Sequence, residues 1–216
     1  MIKAVIFDLD GVIINSEEAH VTAEKTVLAK YDLVIEDHDW STFKGKTAAG
    51  MFQGIVEKYG VQHVSAEELV AEKEKLLSLI VSEAALFTGF QELIAALRSI
   101  YKIGLTTSSS EPLQEAIFNK FALHPWFDAV VHAGMVTKGK PHPEPYLLTM
   151  HKLGVQPADC IVIEDADNGV TSAKKAGATV IAVTHSLPKE ALAHADYVVD
   201  SLQEVGECVE RIRQDY

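Results

Sequence analysis

Ala4-Val5-Ile6-Phe7-Asp8-Leu9-Asp10-Gly11 decides how the rest of the chain is read. Four apolar residues, two of them β-branched, end on an acid, a leucine, a second acid and a glycine. A short unbroken apolar run of this kind marks a strand buried on both faces, as strands of parallel sheets are. Further runs at Ile103–Thr106, Ala129–Val131, Cys160–Ile163, Thr179–Val183 and Tyr197–Val199 repeat the signal. Between them the apolar period changes to that of helices. Phe90, Leu93, Ile94, Leu97 and Ile100 share one helical face, and so do Leu202, Val205, Val209 and Ile212. Alternating strands and helices predict an α/β fold with a Rossmann-like parallel sheet. Pro143 and Pro145 near one helix start, with Gly154 and Gly177 beyond helix ends, agree with the punctuation such helices use.

The alternation breaks after the first strand. Glu17–Tyr31, Thr47–Tyr59 and Ala66–Val81 carry helical periodicity with no convincing strand between them, and Ser65 with Glu68 forms a capping-box pattern. The expected organisation is therefore a catalytic core of residues 1–14 and 88–216 with a helical cap domain, 15–87, inserted into it.

The 216 residues are 48% hydrophobic and 23% charged, a composition able to bury a core. Lys+Arg number 19 against 31 Asp+Glu, a net charge of −12 that repels nucleic acid and anionic membranes. Neither is an expected partner. A small anionic substrate remains compatible, because one pocket of amides, a lysine and a metal cation overcomes the global field. Cys160 and Cys208 form neither a disulfide framework nor a metal cluster, which points to a reducing compartment. The opening apolar run is too short for a signal peptide, and no stretch approaches the ~20 apolar residues of a membrane span. A soluble cytoplasmic protein is expected, monomeric for want of any heptad seam.

Ligands of open parallel sheets bind at the carboxyl ends of the strands. Asp8 and Asp10 fall there, and two close carboxylates call for a neutraliser such as Mg²⁺, unless the sequence only makes an Asp-Gly turn. Thr107 and Ser108 offer hydroxyls and amides to an anion, while Ser109 or Ser110 could merely cap the next helix. Lys140, in Gly-Lys-Pro-His-Pro-Glu-Pro, is either a fixed positive charge pinned by prolines or a solvated loop lysine. Glu164 and Asp165 suit metal ligation or helix capping alike. Acid pair, hydroxyl, lysine and acid pair, all at one edge of one sheet, argue jointly for a site.

In that order the motifs resemble the haloacid dehalogenase superfamily, and the resemblance covers essentially the whole chain. The helical insert resembles the four-helix cap of the subgroup holding β-phosphoglucomutase and sugar-phosphate phosphatases. The resemblance implies that Asp8 is a nucleophile forming an aspartyl-phosphate and that Asp10 is the acid and base. It implies Mg²⁺ held by the Asp8 carboxylate, the Asp10 backbone carbonyl and Asp165, with Glu164 assisting. Thr107, the Ser108 amide and Lys140 would hold phosphoryl oxygens. Dehalogenase and phosphonatase branches lack an acid two residues after the first, so Asp10 separates this chain from them.

His20 shares a helix face with Ala23 and Val27. It could reach the active site or pack beneath the cap; the resemblance favours the site. In the cap, Phe43-Lys44-Gly45-Lys46-Thr47-Ala48 aligns with a mutase loop that carries an arginine where this chain has Ala48. Without that guanidinium a second phosphate loses bidentate recognition. The expected function is therefore a Mg²⁺-dependent phosphatase acting on a small phosphorylated metabolite. A phosphosugar mutase is the alternative, since Lys44 or Lys46 could compensate. A phosphorylation-dependent switch fits less well, because receiver domains are shorter and lack both the cap and the second acid.

Overall fold

The computed structural model describes residues 1–40, 42 and 46–214. The opening run is strand β1 (Ala4–Phe7), and a two-residue strand β2 (Ile14–Asn15) follows the Asp-Gly turn. Helices α1 (Glu17–Ala29), α3 (Ala48–Lys58), α4 (Ala66–Glu74) and α5 (Leu77–Glu83) come next, with the single turn α2 (Asp37–Trp40) between the first two. Strand β3 (Ala85–Leu86) returns antiparallel to β2 and closes the insert. The chain then alternates through α6 (Phe90–Arg98), β4 (Lys102–Thr106), α7 (Glu111–Phe121), β5 (Ala129–Val131), α8 (Glu144–Leu153), β6 (Cys160–Glu164), α9 (Asp167–Ala176), β7 (Thr179–Val183), β8 (Tyr197–Val199) and α10 (Leu202–Gln214).

Six parallel strands form one sheet in the order β5-β4-β1-β6-β7-β8. The chain winds out from β1 through β4 to β5, then returns to β6 on the other side of β1. That reversal opens a crevice at the carboxyl ends of β1, β4 and β6. Successive strand residues alternate between faces. Val5, Phe7, Ile161 and Ile163 pack under α6, α7 and α10, while Ala4, Ile6, Cys160 and Val162 pack under α8 and α9. The α/β, Rossmann-like expectation is borne out.

The insert has its own apolar cluster around Val27, Leu28, Phe52, Ile55 and Leu69. The lower parts of α1 and α5 join the core cluster instead, through Ala19, Ala23, Ile80 and Ala84. Lys120 of α7 donates to the carbonyls of Val81 (2.7 Å), Ser82 (3.0 Å) and Ala84 (2.7 Å), taking up acceptors that the end of α5 leaves open. Three features depart from the sequence expectation. The pattern over 66–81 is two helices, because Leu76 tightens the turn by donating to Lys73 O (2.9 Å). The β2–β3 ladder and α2 are too short to carry a periodic signal. The expected Ser65–Glu68 capping box, by contrast, is present in both directions. No helix among the described residues is long and apolar enough to cross a membrane.

Candidate active site

Asp8 leaves the end of β1 and is buried, with Lys140 Nζ 2.7 Å from its Oδ1. The same ammonium donates to Glu164 Oε1 at 2.6 Å and to Thr106 O at 3.3 Å. Glu164, at the end of β6, also accepts from Tyr146 Oη (2.7 Å) and, on Oε2, from the amides of Asp165 (3.0 Å) and Ala166 (3.2 Å). Lys140 is buried, so the solvated-loop alternative is excluded. Burial pushes the Asp8 carboxyl up to about 7 against the pull of Lys140, with Glu164 and Asp10 adding repulsion. Burial opposes the charge of Lys140, yet Asp8 and Glu164 hold its ammonium above the ordinary lysine range.

Asp8, Glu164 and Asp165 present carboxylate oxygens within 4.8 Å of one another. Burial, then Glu164 and Asp8, raise the Asp165 carboxyl well above its usual value. One ammonium does not balance three buried carboxylates, and an oxygen-only donor set suits a hard divalent cation. The residues therefore fit Mg²⁺. Gly11, at φ +81, closes this side of the cluster: a Cβ there would stand 1.9 Å from Asp165 Oδ2.

Asp10 belongs to a separate group. Its Oδ1 accepts from Ser16 Oγ (2.6 Å) and lies 3.1 Å from His20 Nε2, while Oδ2 accepts from Ser109 Oγ (2.7 Å). Burial would raise this carboxyl, but His20 and the two hydroxyls outweigh it and hold the group well below the usual range. His20 thus reaches the site, and Ala23 and Val27 on its face are buried beneath it in α1. Ser110 takes the N-cap position of α7 without a side-chain cap bond, and Ser109 turns to Asp10. Thr107 is buried, and its Oγ1 accepts from Ser109 N at 3.0 Å.

A cavity of about 310 Å³ joins the two groups to the insert. Asp8, Asp10, His20, Ser108, Lys140, Glu164 and Asp165 line its floor; Thr107 is not among the lining residues. Lys46 and Ala48 line its upper wall, whereas Lys44 lies outside the described residues. Gly139 closes the gap from the core side, where an added Cβ would stand 3.0 Å from Thr47 Cγ2. Sequence reasoning missed Tyr146, Gly169 and Ser109 as partners of the acids. Nothing in their local spacing signals the role, since each meets its acid only through the fold. The Asp10 side chain is not part of the acidic trio of Asp8, Glu164 and Asp165.

Fold and site together define a class: an α/β enzyme with a helical insert after its first strand and an acidic cluster where the sheet reverses direction. The chain belongs to the haloacid dehalogenase-like hydrolase family, whose sequence pattern matches residues 5–183. The expectation of a hydrolase acting on phosphate esters is borne out at this level. Among relatives, validoxylamine A 7'-phosphate phosphatase of Streptomyces hygroscopicus subsp. limoneus is 31% identical over 207 residues, 95% of this chain and 96% of that one. β-Phosphoglucomutase of Bacillus subtilis is 32% identical over 205 residues, 91% of this chain and 88% of its own length. Among solved structures, β-phosphoglucomutase from Clostridium difficile matches with a TM-score of 0.86 and 29% identity, over 100% of this chain and 99% of that one.

Proposed function

We propose that the chain is a Mg²⁺-dependent phosphatase hydrolysing a small phosphate monoester, a sugar phosphate or similar metabolite, through an aspartyl-phosphate on Asp8. The observation that carries this reading is the separation of two acids only two residues apart. Asp8 faces the buried lysine and carboxylates, and Asp10 faces a histidine and two hydroxyls. One environment suits a positioned nucleophile and the other a proton carrier.

Asp8 attacks phosphorus as the bond to the leaving alcohol breaks, and protonated Asp10 gives that alcohol its proton. Asp10 then takes a proton from water, which displaces Asp8 and releases inorganic phosphate. The partners of Asp10 in this arrangement favour its ionised form, the base of the second step. The acid of the first step requires those partners to be exchanged. Lys140 offsets the repulsion between a carboxylate and a phosphate dianion, and the Ser108 amide in the cavity wall holds phosphoryl oxygens, with Thr107 set behind it. Asp8, Asp165 and the Asp10 carbonyl would hold Mg²⁺, with Glu164 assisting directly or through water. When bound, the cation neutralises charge on the transferring group.

This reading treats 15–87 as a cap over a core of 1–14 and 88–216, and it places a monomeric enzyme in the cytoplasm. The two buried free thiols support a reducing compartment. A phosphosugar mutase is the second reading, favoured by the identity to β-phosphoglucomutase and by Lys46 in the cavity wall. Ala48 in the same wall speaks for water as acceptor, since it supplies no anchor for a second phosphate. The test is release of inorganic phosphate from a panel of sugar phosphates, lost in chelator and restored by Mg²⁺. No turnover of any ester with Mg²⁺ present would refute it.

A further inference from the structure

The chain crosses between core and insert twice, once into β2 and once out of β3, and His185 touches both crossings. It sits in the loop after β7, where Thr184 donates its amide to Val199 O (3.0 Å) and its hydroxyl to Asp200 Oδ1 (2.7 Å). The start of that loop is thereby fastened to the core. The His185 ring stacks on Phe87, the residue after β3, with centroids 3.8 Å apart and planes 15° from parallel. Its Nδ1 lies 2.9 Å from Gly11 O. Burial holds the imidazole below its ordinary range, and a carbonyl partner requires the proton on Nδ1. Phe87 donates its own amide to Ile13 O (2.9 Å), so both crossings, the ring and the β7 loop form one assembly.

Gly11 follows Asp10 in the chain. The turn it opens is closed from within: Gly11 N donates to Ile14 O (2.8 Å), and the amides of Ile13 and Ile14 donate to Leu9 O (2.9 and 3.0 Å). The Gly11 carbonyl instead finds its partner outside the turn, in His185. A glycine at φ +81 has a wide choice of backbone conformation, so an outside donor decides which way its peptide faces. This matters for Asp10, whose carboxylate must exchange partners between the two steps of the proposed reaction. A side chain that swings accurately needs a fixed backbone to swing from.

Resting on the phosphatase reading above, we infer that His185 is a positioning residue for Asp10, acting through the Gly11 carbonyl. Stacking on Phe87 sets the plane of the ring, the ring sets the Gly11 peptide, and the acid that protonates the leaving alcohol turns about a fixed point. His185 does not itself line the cavity, so its effect on the reaction passes through this turn.

The test separates proton transfer from general loss of structure. Single-turnover release of the leaving group is measured for the best of glucose 1-, glucose 6- and fructose 1-phosphate, whose alcohols need a proton, and for 4-nitrophenyl phosphate, whose phenolate leaves without one. His185→Phe keeps the stack and loses the donor. The ratio of the sugar-phosphate rate to the nitrophenyl rate should fall about 10- to 100-fold, the scale of a small misplacement of a catalytic group. His185→Asn keeps an N–H one bond beyond Cγ, where Nδ1 stood, and should lower the ratio much less. A residue that only sealed the crossings would lower both rates in parallel. An unchanged ratio in folded His185→Phe, or an equal fall in His185→Asn, therefore overturns the inference; His185→Ala replaces the phenylalanine variant if that one fails to fold. Asp10→Asn is the reference. If it lowers the ratio and His185→Phe does not, the inference falls alone; if it leaves the ratio unchanged, the acid role of Asp10 falls too. Failure of the unmodified protein to hydrolyse any of these esters overturns the phosphatase reading beneath both.

Discussion

Glu164 and Gly169 compete for the same space: a Cβ on Gly169 would stand 1.8 Å from Glu164 Oε1. The first turn of α9 rests directly on the carboxylate that holds Lys140 and Tyr146. That carboxylate cannot swing aside cheaply, because two amides bind its other oxygen. Gly169→Ala should therefore destabilise the protein by about 1–3 kcal/mol, the usual cost of overpacking, and lower kcat as Lys140 shifts. Urea unfolding and steady-state kinetics check both effects. Wild-type values in both would show that the carboxylate has room to move.

Asp8→Asn keeps the size of the side chain and removes the oxygen that would carry the phosphoryl group. Turnover should drop to background with circular dichroism and thermal midpoint close to the parent. Lys140→Ala should cost about 2–4 kcal/mol in kcat/KM, as losing one preorganised charge does. Substantial activity in Asp8→Asn, from protein free of wild type, would remove Asp8 as nucleophile.

On the proposed reading, a proton and Mg²⁺ would compete at the acidic cluster. The Asp8 carboxyl sits at about 7 in the folded chain, raised by burial above an ordinary value of 3.8. Between those values the metal-free folded state binds a proton that the unfolded chain has released, so its stability falls as pH rises through the window. Mg²⁺ needs the ionised form. The thermal shift produced by Mg²⁺ should therefore be larger at about pH 8 than at about pH 5.5, measured by scanning fluorimetry. Equal shifts would contradict a cation at these carboxylates.

Ala48 bears on the fate of the phosphoryl group. Given β-glucose 1-phosphate and a catalytic amount of the 1,6-bisphosphate, the protein should release phosphate and make little glucose 6-phosphate. Ala48 lines the cavity wall, so Ala48→Arg should raise the share of glucose 6-phosphate. Efficient isomerisation by the unmodified protein would make it a mutase and point to Lys46 as the anchor.

Much of this arrangement was legible before any coordinates. The apolar run ending at Asp8 located the central strand, and Ser65 with Glu68 located a helix start, because both signals are local. The break at Leu76 was not legible, since apolar spacing continues across it. Nor was the use of Ser109, whose hydroxyl fits a cap equally well in sequence and is drawn to Asp10 only when β1 and β4 lie side by side. Glu24 and Lys73 are 49 residues apart in the chain, and each reads as an ordinary surface charge until α1 and α4 face one another.

The lower parts of α1 and α5 share the apolar cluster of the sheet, and Lys120 ties the end of α5 to α7. For anyone building hybrids between members of this family, the insert is therefore not the natural unit of exchange. A graft of 15–87 would replace Ala19, Ala23, Ile80 and Ala84 and ask a foreign sequence to finish the recipient's interior. A graft joined between Ala23 and Val27 and again at the turn after Glu74 carries the separate cluster intact, so new selectivity could be moved without rebuilding the floor on which it stands.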